Sequence, residues 1–183
     1  VTNFSELSRL VAQPLYEYFP ALALITTAIF TIILGTGLPT VIAYVLGAIT
    51  MVPVLQDLGY NNIAAHFFVF YFAVFANVTP PVALNVLIAS RIAGSSFMGT
   101  CMESLRLSVP AFILPFLFLY QPSLLEFPAL SVGMLVATLL VSTATLAFLF
   151  GFFGYFINQL TMVNRALFIV VAGIGVWGLI IDD

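Results

Sequence analysis

Two short segments carry most of the groups in this sequence that could bind a ligand. The first reads Gly35-Thr36-Gly37-Leu38-Pro39-Thr40 and the second reads Asn77-Val78-Thr79-Pro80-Pro81. Their hydroxyl and amide side chains offer neutral oxygen atoms, as does nearby Asn85. Their glycines and prolines interrupt helices, which frees backbone carbonyl oxygens as well. Hard cations bind such oxygens, so these residue types indicate a site for a cation such as sodium.

Other chemistries lack the residues that they need. The chain has one histidine, His66, and one cysteine, Cys101, and it contains no hydrolase, zinc-protease or phosphate-loop motif. We therefore expect neither an enzyme nor an ATP-driven pump. Its four basic residues are arginines that form no cluster, and the net charge is −3, so we expect no nucleic-acid partner.

The composition is that of an integral membrane protein. Hydrophobic residues make up 63% of the chain, against about 45–50% in soluble domains. Charged residues make up 6%, against about 25% in soluble domains, which is too few to cover a soluble surface. The chain begins with valine and shows no signal-peptide pattern, so we expect it to be a piece of a longer protein.

Stretches without charge locate the helices that could cross a membrane, each of which needs about 20 apolar residues. The third uncharged stretch along the chain, residues 107–125, has room for one such helix. The fourth has room for one long helix near residues 128–157, or for two. The five uncharged stretches are residues 18–56, 58–90, 107–125, 127–164 and 166–181.

The first two stretches are each interrupted in the middle by a glycine- and proline-rich segment. The apolar arms on either side would be roughly 18–24 Å long as helices, which is short of the ~30 Å hydrocarbon core. They read as half-helices that meet near mid-membrane, either as re-entrant hairpins or as broken crossing helices. The positions of the arginines do not choose between these topologies. The predicted arms are residues 21–34, 41–56, 63–76 and 82–93.

Irregular backbone at membrane depth is tolerated only inside protein or along a watery cavity. Secondary transporters use such breaks, because freed carbonyls bind cations and half-helix N-termini face anionic substrates. The absence of an acidic residue from the arms favours sodium over proton coupling. The alternative is a non-transporting scaffold whose breaks are packing kinks.

An amphipathic surface helix is predicted at residues 95–109, before the third apolar stretch. Glu103 and Arg106 are three residues apart and are expected to pair weakly. The apolar residues at helical spacing are Phe97, Met98, Cys101, Met102, Leu105 and Val109.

Several of these strings resemble one transporter family. Residues 34–40 resemble the Gly-x-Gly-Leu-Pro-Thr segment of the fused permeases of TRAP (tripartite ATP-independent periplasmic) transporters. Residues 65–72 and 78–84 resemble the family's next segment, and residues 88–94 and 115–122 continue the likeness. The resemblance covers about residues 20–125, and the tail is similar more loosely to the fused subgroup. Thr36 stands where relatives usually carry methionine, and Arg91 stands where a small or polar residue is expected.

The resemblance implies an all-α membrane fold of the elevator type, with two inverted repeats of which this chain holds the second. A re-entrant hairpin would be followed by a broken transmembrane helix and then by about three transmembrane helices. The implied parts are a connector (1–19), a transport half-repeat (20–94, with hairpin 20–56 and broken helix 63–93), an amphipathic and a spanning helix (95–125), and two C-terminal spanning helices (126–183).

The resemblance also implies a function and a site. The family imports organic acids with sodium, and a soluble periplasmic binding protein delivers the substrate to a permease in the inner membrane of bacteria or archaea. The implied sodium ligands come from Gly35, Thr36, Gly37, Leu38, Thr40, Val78, Thr79 and Asn85. The implied carboxylate site is lined by Thr36, Pro39, Thr40, Asn77, Thr79, Pro80 and Pro81. A carrier of the same architecture that works without a binding protein is the alternative within this class.

Overall fold

The computed structural model describes residues 19–125 and 132–181 of the chain. These residues are almost entirely helical, which confirms the predicted all-α class. Residues 1–18 of the predicted connector lie outside the described residues. The elements in chain order are α1 (Pro20–Gly37), α2 (Thr40–Asp57), α3 (Asn62–Phe75), α4 (Leu84–Ala93), α5 (Phe97–Tyr120), a 3-10 turn (Pro122–Leu125), α6 (Val132–Phe153), the short strands β1 (Tyr155–Phe156) and β2 (Asn158–Gln159), and α7 (Met162–Ile181).

Four of these helices, α1, α2, α5 and α6, are long and apolar enough to cross a membrane. Helices α3 and α4 are apolar but shorter. Large hydrophobic side chains are exposed along most of the helices, as lipid-facing surfaces require. The chain divides into two compact units between Val109 and Pro110.

Helices α1 and α2 form an antiparallel hairpin. Gly35 lies opposite Ala43, and Gly47 lies opposite Thr31. Helix α1 is longer than the predicted arm at 21–34, because the glycines do not stop it. It ends where Leu38 becomes extended, with φ −127° and ψ 150°, as a residue before proline prefers.

Helix α3 packs against both helices of the hairpin and runs antiparallel to α2. The Asn61 side chain caps its N-terminus by accepting from the Ile63 and Ala64 amides. Polar contacts with α2 lie near both ends of α3, since Thr40 Oγ1 accepts from Asn77 at 3.0 Å and Gln56 donates to Asn62 at 2.8 Å. Among the described elements, α4 does not pack along α3, so the segment between them does not fold back as a hairpin.

Residues 97–120 form one helix, not the predicted surface helix followed by a separate span. Pro110 lies inside α5 and does not end it. The predicted apolar stripe does not share one buried face, because Cys101 is buried whereas Met98 and Met102 are exposed. The predicted Glu103–Arg106 pair is present at 3.9 Å, and both side chains are exposed.

Helices α6 and α7 form a second antiparallel hairpin, which β1 and β2 connect. The two helices approach closely at glycines, since a Cβ at Gly151 would lie 2.8 Å from Ile169 and one at Gly175 would lie 3.0 Å from Ala144. Leu117 of α5 joins the core of this unit beside Ala137 and Val141 of α6.

Candidate functional site

The turn of the first hairpin, at residues 35–40, exposes unpaired backbone groups of both its helices. Residue 39 is a proline, so the carbonyl of Gly35 lacks the amide donor that a continuing helix would supply. The start of α2 has no side-chain cap, and the last turn of α1 contains no basic residue. The partly negative end of one helix therefore lies beside the partly positive end of the other.

The interruption between α3 and α4, at residues 76–83, satisfies its own carbonyls. Pro80 and Pro81 remove the amides that would otherwise bond the carbonyls of Ala76 and Asn77. The Ala76 carbonyl accepts instead from the Thr79 amide at 3.4 Å and the Thr79 hydroxyl at 3.3 Å. The Asn77 carbonyl accepts from the Asn85 amide at 3.2 Å. These bonds hold the start of α4 close to Asn77.

The turn and the interruption are in direct contact. Asn77 Nδ2 donates to Thr40 Oγ1 at 3.0 Å and to the Val74 carbonyl at 3.1 Å. Gly35 faces the end of α3 so closely that a Cβ there would collide with the Ala76 methyl and lie 3.2 Å from the Ala73 carbonyl oxygen. Two segments far apart in sequence therefore form one polar junction.

The comparisons with known proteins show to which family the chain belongs. Residues 5–127 match the model of the family described as "Tripartite ATP-independent periplasmic transporter, DctM component". The chain belongs to this family. Neither the comparison with curated proteins nor the comparison with solved structures gives a match.

The DctM family is one of transport components, so this chain is a permease portion of a TRAP transporter and a multi-pass membrane protein. The family match includes the hairpin turn, the interruption and α5, and it ends before α6. The predicted resemblance to the large TRAP subunit is thus confirmed, and the likeness of the tail to the fused subgroup stays a prediction.

The structure of this DctM-family chain brings some predicted site residues together. Gly35, Thr40 and Asn77 meet at the junction, and Thr79 is joined to it through the Ala76 carbonyl. Gly37, Leu38 and Pro39 are exposed at the turn. Their backbone is open to a ligand, and a Cβ at Gly37 would meet nothing within 4 Å.

Other predicted residues make no side-chain contact across the junction within the described part of the chain. The Thr36 hydroxyl donates to the Ile33 carbonyl of its own helix at 2.7 Å. The Val78 side chain packs beside Cys101 and Phe97, which leaves its carbonyl as the group relevant to the sodium prediction. The side chain of Asn85 is exposed. Pro80 is partly buried and Pro81 is exposed.

Two small residues that the sequence reasoning missed shape the junction. Ala73 and Ala76 face Gly35 and let the two backbones approach, as small residues do in membrane helix packing. The sequence does contain small residues in both segments, Gly35 in one and two alanines three positions apart in the other. No sequence-spacing rule, however, predicts contact between positions so far apart. Reasoning from single residues also missed the hydrogen bond of 3.0 Å between Tyr44 and His66.

The described residues around the junction offer a cation neutral oxygens only. No group of three or more His, Cys, Asp or Glu residues that could hold a metal is found in the described ranges. Backbone carbonyls, hydroxyls and one amide oxygen are what remains. The Asn77 side chain donates these two hydrogen bonds through its NH₂ group, so its amide oxygen is the atom that could accept from or coordinate a ligand.

Proposed function

We propose that this chain forms part of a sodium-coupled permease that imports organic acids delivered by a soluble periplasmic binding protein. The single observation that carries the proposal is the Asn77–Thr40 hydrogen bond, which joins the start of α2, whose backbone amides have no side-chain cap, to the interruption after α3. A packing kink in a scaffold would bury such groups, whereas Gly37, Leu38 and Pro39 are exposed. The proposed setting is the cytoplasmic membrane of a bacterium or archaeon.

Sodium is proposed to bind at the carbonyl end of α1. The Gly35 carbonyl lacks its helical donor because Pro39 has no amide hydrogen. Hard oxygen ligands of this kind suit a small cation. The further proposed ligands are the carbonyls of Thr36, Gly37, Leu38, Val78 and Thr79, with the side-chain oxygens of Thr40, Thr79 and Asn85.

The substrate carboxylate is proposed to bind between the two segments. Helix α2 begins at Thr40 and helix α4 begins at Leu84, and neither start has a side-chain cap. Amide groups at a helix N-terminus favour an anion, and half-helix N-termini serve carboxylates in transporters. The proposed lining residues are Thr36, Pro39, Thr40, Asn77, Thr79, Pro80 and Pro81.

The test is uptake of labelled organic acids by the complete transporter in liposomes. We expect uptake that requires an inward sodium gradient and the added binding protein. Undiminished uptake after sodium is replaced by choline would contradict sodium coupling. Full uptake without any binding protein would instead support a carrier that works alone.

A second experiment tests the side-chain ligands of sodium. The double variant Thr79→Val with Asn85→Leu removes two oxygens and keeps similar volumes. We expect the sodium concentration for half-maximal uptake to rise. An unchanged sodium dependence would remove both side chains from the site and leave the carbonyl ligands.

A further inference from the structure

The C-terminal unit contains a cavity of about 340 Å³ between α5, α6 and α7. Its volume lies within the range of small-molecule sites, roughly 300–1,000 Å³. The cavity is separate from the hairpin turn and the interruption, because all its lining residues belong to positions 110–177. Nothing in the transport proposal gives it a role.

The wall of this cavity is apolar except for two side-chain groups. Leu117 and Phe148 are typical of the lining, and the polar groups are the Thr145 hydroxyl and the Trp177 indole N–H. Each water molecule needs two to four polar partners in a buried site, and two groups cannot supply them for the several waters that this volume would hold. An empty cavity would leave the lining atoms without contacts. A hydrocarbon chain would supply the missing van der Waals contacts to these apolar lining atoms.

The surroundings of the cavity supply that hydrocarbon. Helices α5 and α6 are long enough to cross a membrane, and the chain belongs to a family of membrane transport components. Ile169 and Trp177 of α7, which line the cavity, are 46% and 66% exposed. Exposed apolar side chains of this kind suit contact with the acyl chains of a bilayer.

We propose that this cavity is a binding site for one acyl chain of a membrane lipid. The chain inserts between α5 and α7 and packs against Phe148. Recognition is by shape and apolar contact, so it requires no hydrogen bond from Thr145. The bound acyl chain then packs against α6 and α7 on the side where they face α5.

Gly173 provides a direct way to fill the site. It lines the cavity, and a Cβ built there meets nothing within 4 Å. Leucine at this position adds a large apolar side chain at the cavity wall without a clash at Cβ, and it also raises helix propensity. Gly178 is the matched control, because a Cβ there also meets open space and the residue does not line the cavity.

The experiment uses the full-length protein in phosphatidylethanolamine vesicles that contain a phosphatidylcholine with a photoactivatable diazirine on one acyl chain. After illumination, labelled residues are mapped by peptide mass spectrometry. We expect labels on Phe148, Leu117 and their neighbours in the cavity wall, loss of these labels in Gly173→Leu, and their retention in Gly178→Leu and Thr145→Val.

Three outcomes would overturn the proposal. Labels on the exposed helix faces alone would mean that lipid does not enter the cavity. Loss of the cavity labels in Thr145→Val would indicate a ligand recognised by a hydrogen bond. A cavity without labels, together with a disulfide-linked dimer of Gly173→Cys but not of Gly178→Cys, would assign the space to a second copy of the chain.

Discussion

The two helical hairpins of this chain close their turns in opposite ways. Both bring their helices together at glycines, Gly35 and Gly47 in the first and Gly151 and Gly175 in the second. The first turn consists of two residues, and the helix that follows it has no side-chain cap. The second turn contains a short strand pair, and the side chains of Thr161, its last residue, and of Arg165 in α7 bond the two helix ends.

In the second hairpin, Arg165 satisfies the carbonyl end of α6. Its guanidinium donates to the carbonyls of Gly151 at 3.1 Å and Phe152 at 2.9 Å, and a cation is favourable at a helix C-terminus. The Thr161 hydroxyl accepts from the Asn164 amide at the start of α7. The protein thus supplies side-chain partners at both helix ends of the second turn.

In the first hairpin, the carbonyls at the end of α1 and the amides at the start of α2 are available to other partners. The last turn of α1 contains no basic residue. A sodium ion would stand where Arg165 stands in the second hairpin. The comparison therefore gives a physical criterion for function: helix ends that the protein does not cap are where a transporter places its ligands.

The largest effect is expected for Gly35→Ala. The new methyl collides with Ala76, so either the turn or the end of α3 must shift. Overpacking of this kind costs about 1–3 kcal/mol of folding free energy, and we expect uptake to be lost because the junction is displaced. Thermal unfolding in detergent and uptake in liposomes measure the two effects.

Gly37→Ala is the matched control, since its methyl meets nothing within 4 Å. We expect a change in stability within about 0.5 kcal/mol and most of the uptake to remain. Equal effects of the two alanines would show that close approach at Gly35 has no special role.

The next effect, on stability rather than transport, is expected for Arg165→Gln. The variant loses the charged hydrogen bonds to two carbonyls, and such bonds contribute about 1.5–3 kcal/mol. We expect a lower unfolding temperature with an unchanged sodium dependence of uptake. A changed sodium dependence would contradict the view that sodium binding involves the first hairpin and not the second.

The sequence was informative about where the helices are interrupted, because proline and glycine act locally. The helices are interrupted at both predicted segments, by residues 38–39 in the first and by residues 76–83 in the second. The end of α1 was set three residues too early, at position 34. Glycines in an apolar helix did not stop it, and the backbone required before Pro39 did.

The sequence was not informative about which side chains meet. Thr40 and Asn77 are 37 residues apart, and their hydrogen bond depends on how α3 packs on the hairpin. The bonds of Arg165 could not be predicted from the sequence, since they depend on α7 returning beside the end of α6. The surface helix at 95–109 was expected because its apolar residues recur at helical spacing, but α5 continues from Phe97 through Pro110 to Tyr120.

A smaller effect on transport is expected for Asn77→Leu. It removes the donor to Thr40 Oγ1 and the amide oxygen at the junction. A hydrogen bond contributes about 1 kcal/mol, so we expect sodium affinity to fall by up to about tenfold. The measurement is the sodium concentration that gives half-maximal uptake.

Gln56→Leu is the control for this variant, because it removes a hydrogen bond between the opposite ends of α2 and α3. We expect no change in sodium affinity. If both variants lowered the affinity equally, helix packing in general, and not the junction, would account for the effect.

The smallest effect is expected for Glu103→Gln, which tests a contact that serves neither hairpin. The Glu103–Arg106 pair is long, at 3.9 Å, and both side chains are about 60% exposed. Exposed pairs of this spacing contribute about 0.2–0.5 kcal/mol on a helix, and salt weakens them further. We therefore expect an unfolding temperature and an uptake rate close to those of the unaltered protein. A large loss of uptake would mean that this charged segment contacts another part of the transporter, and the functional region would then extend beyond the first hairpin.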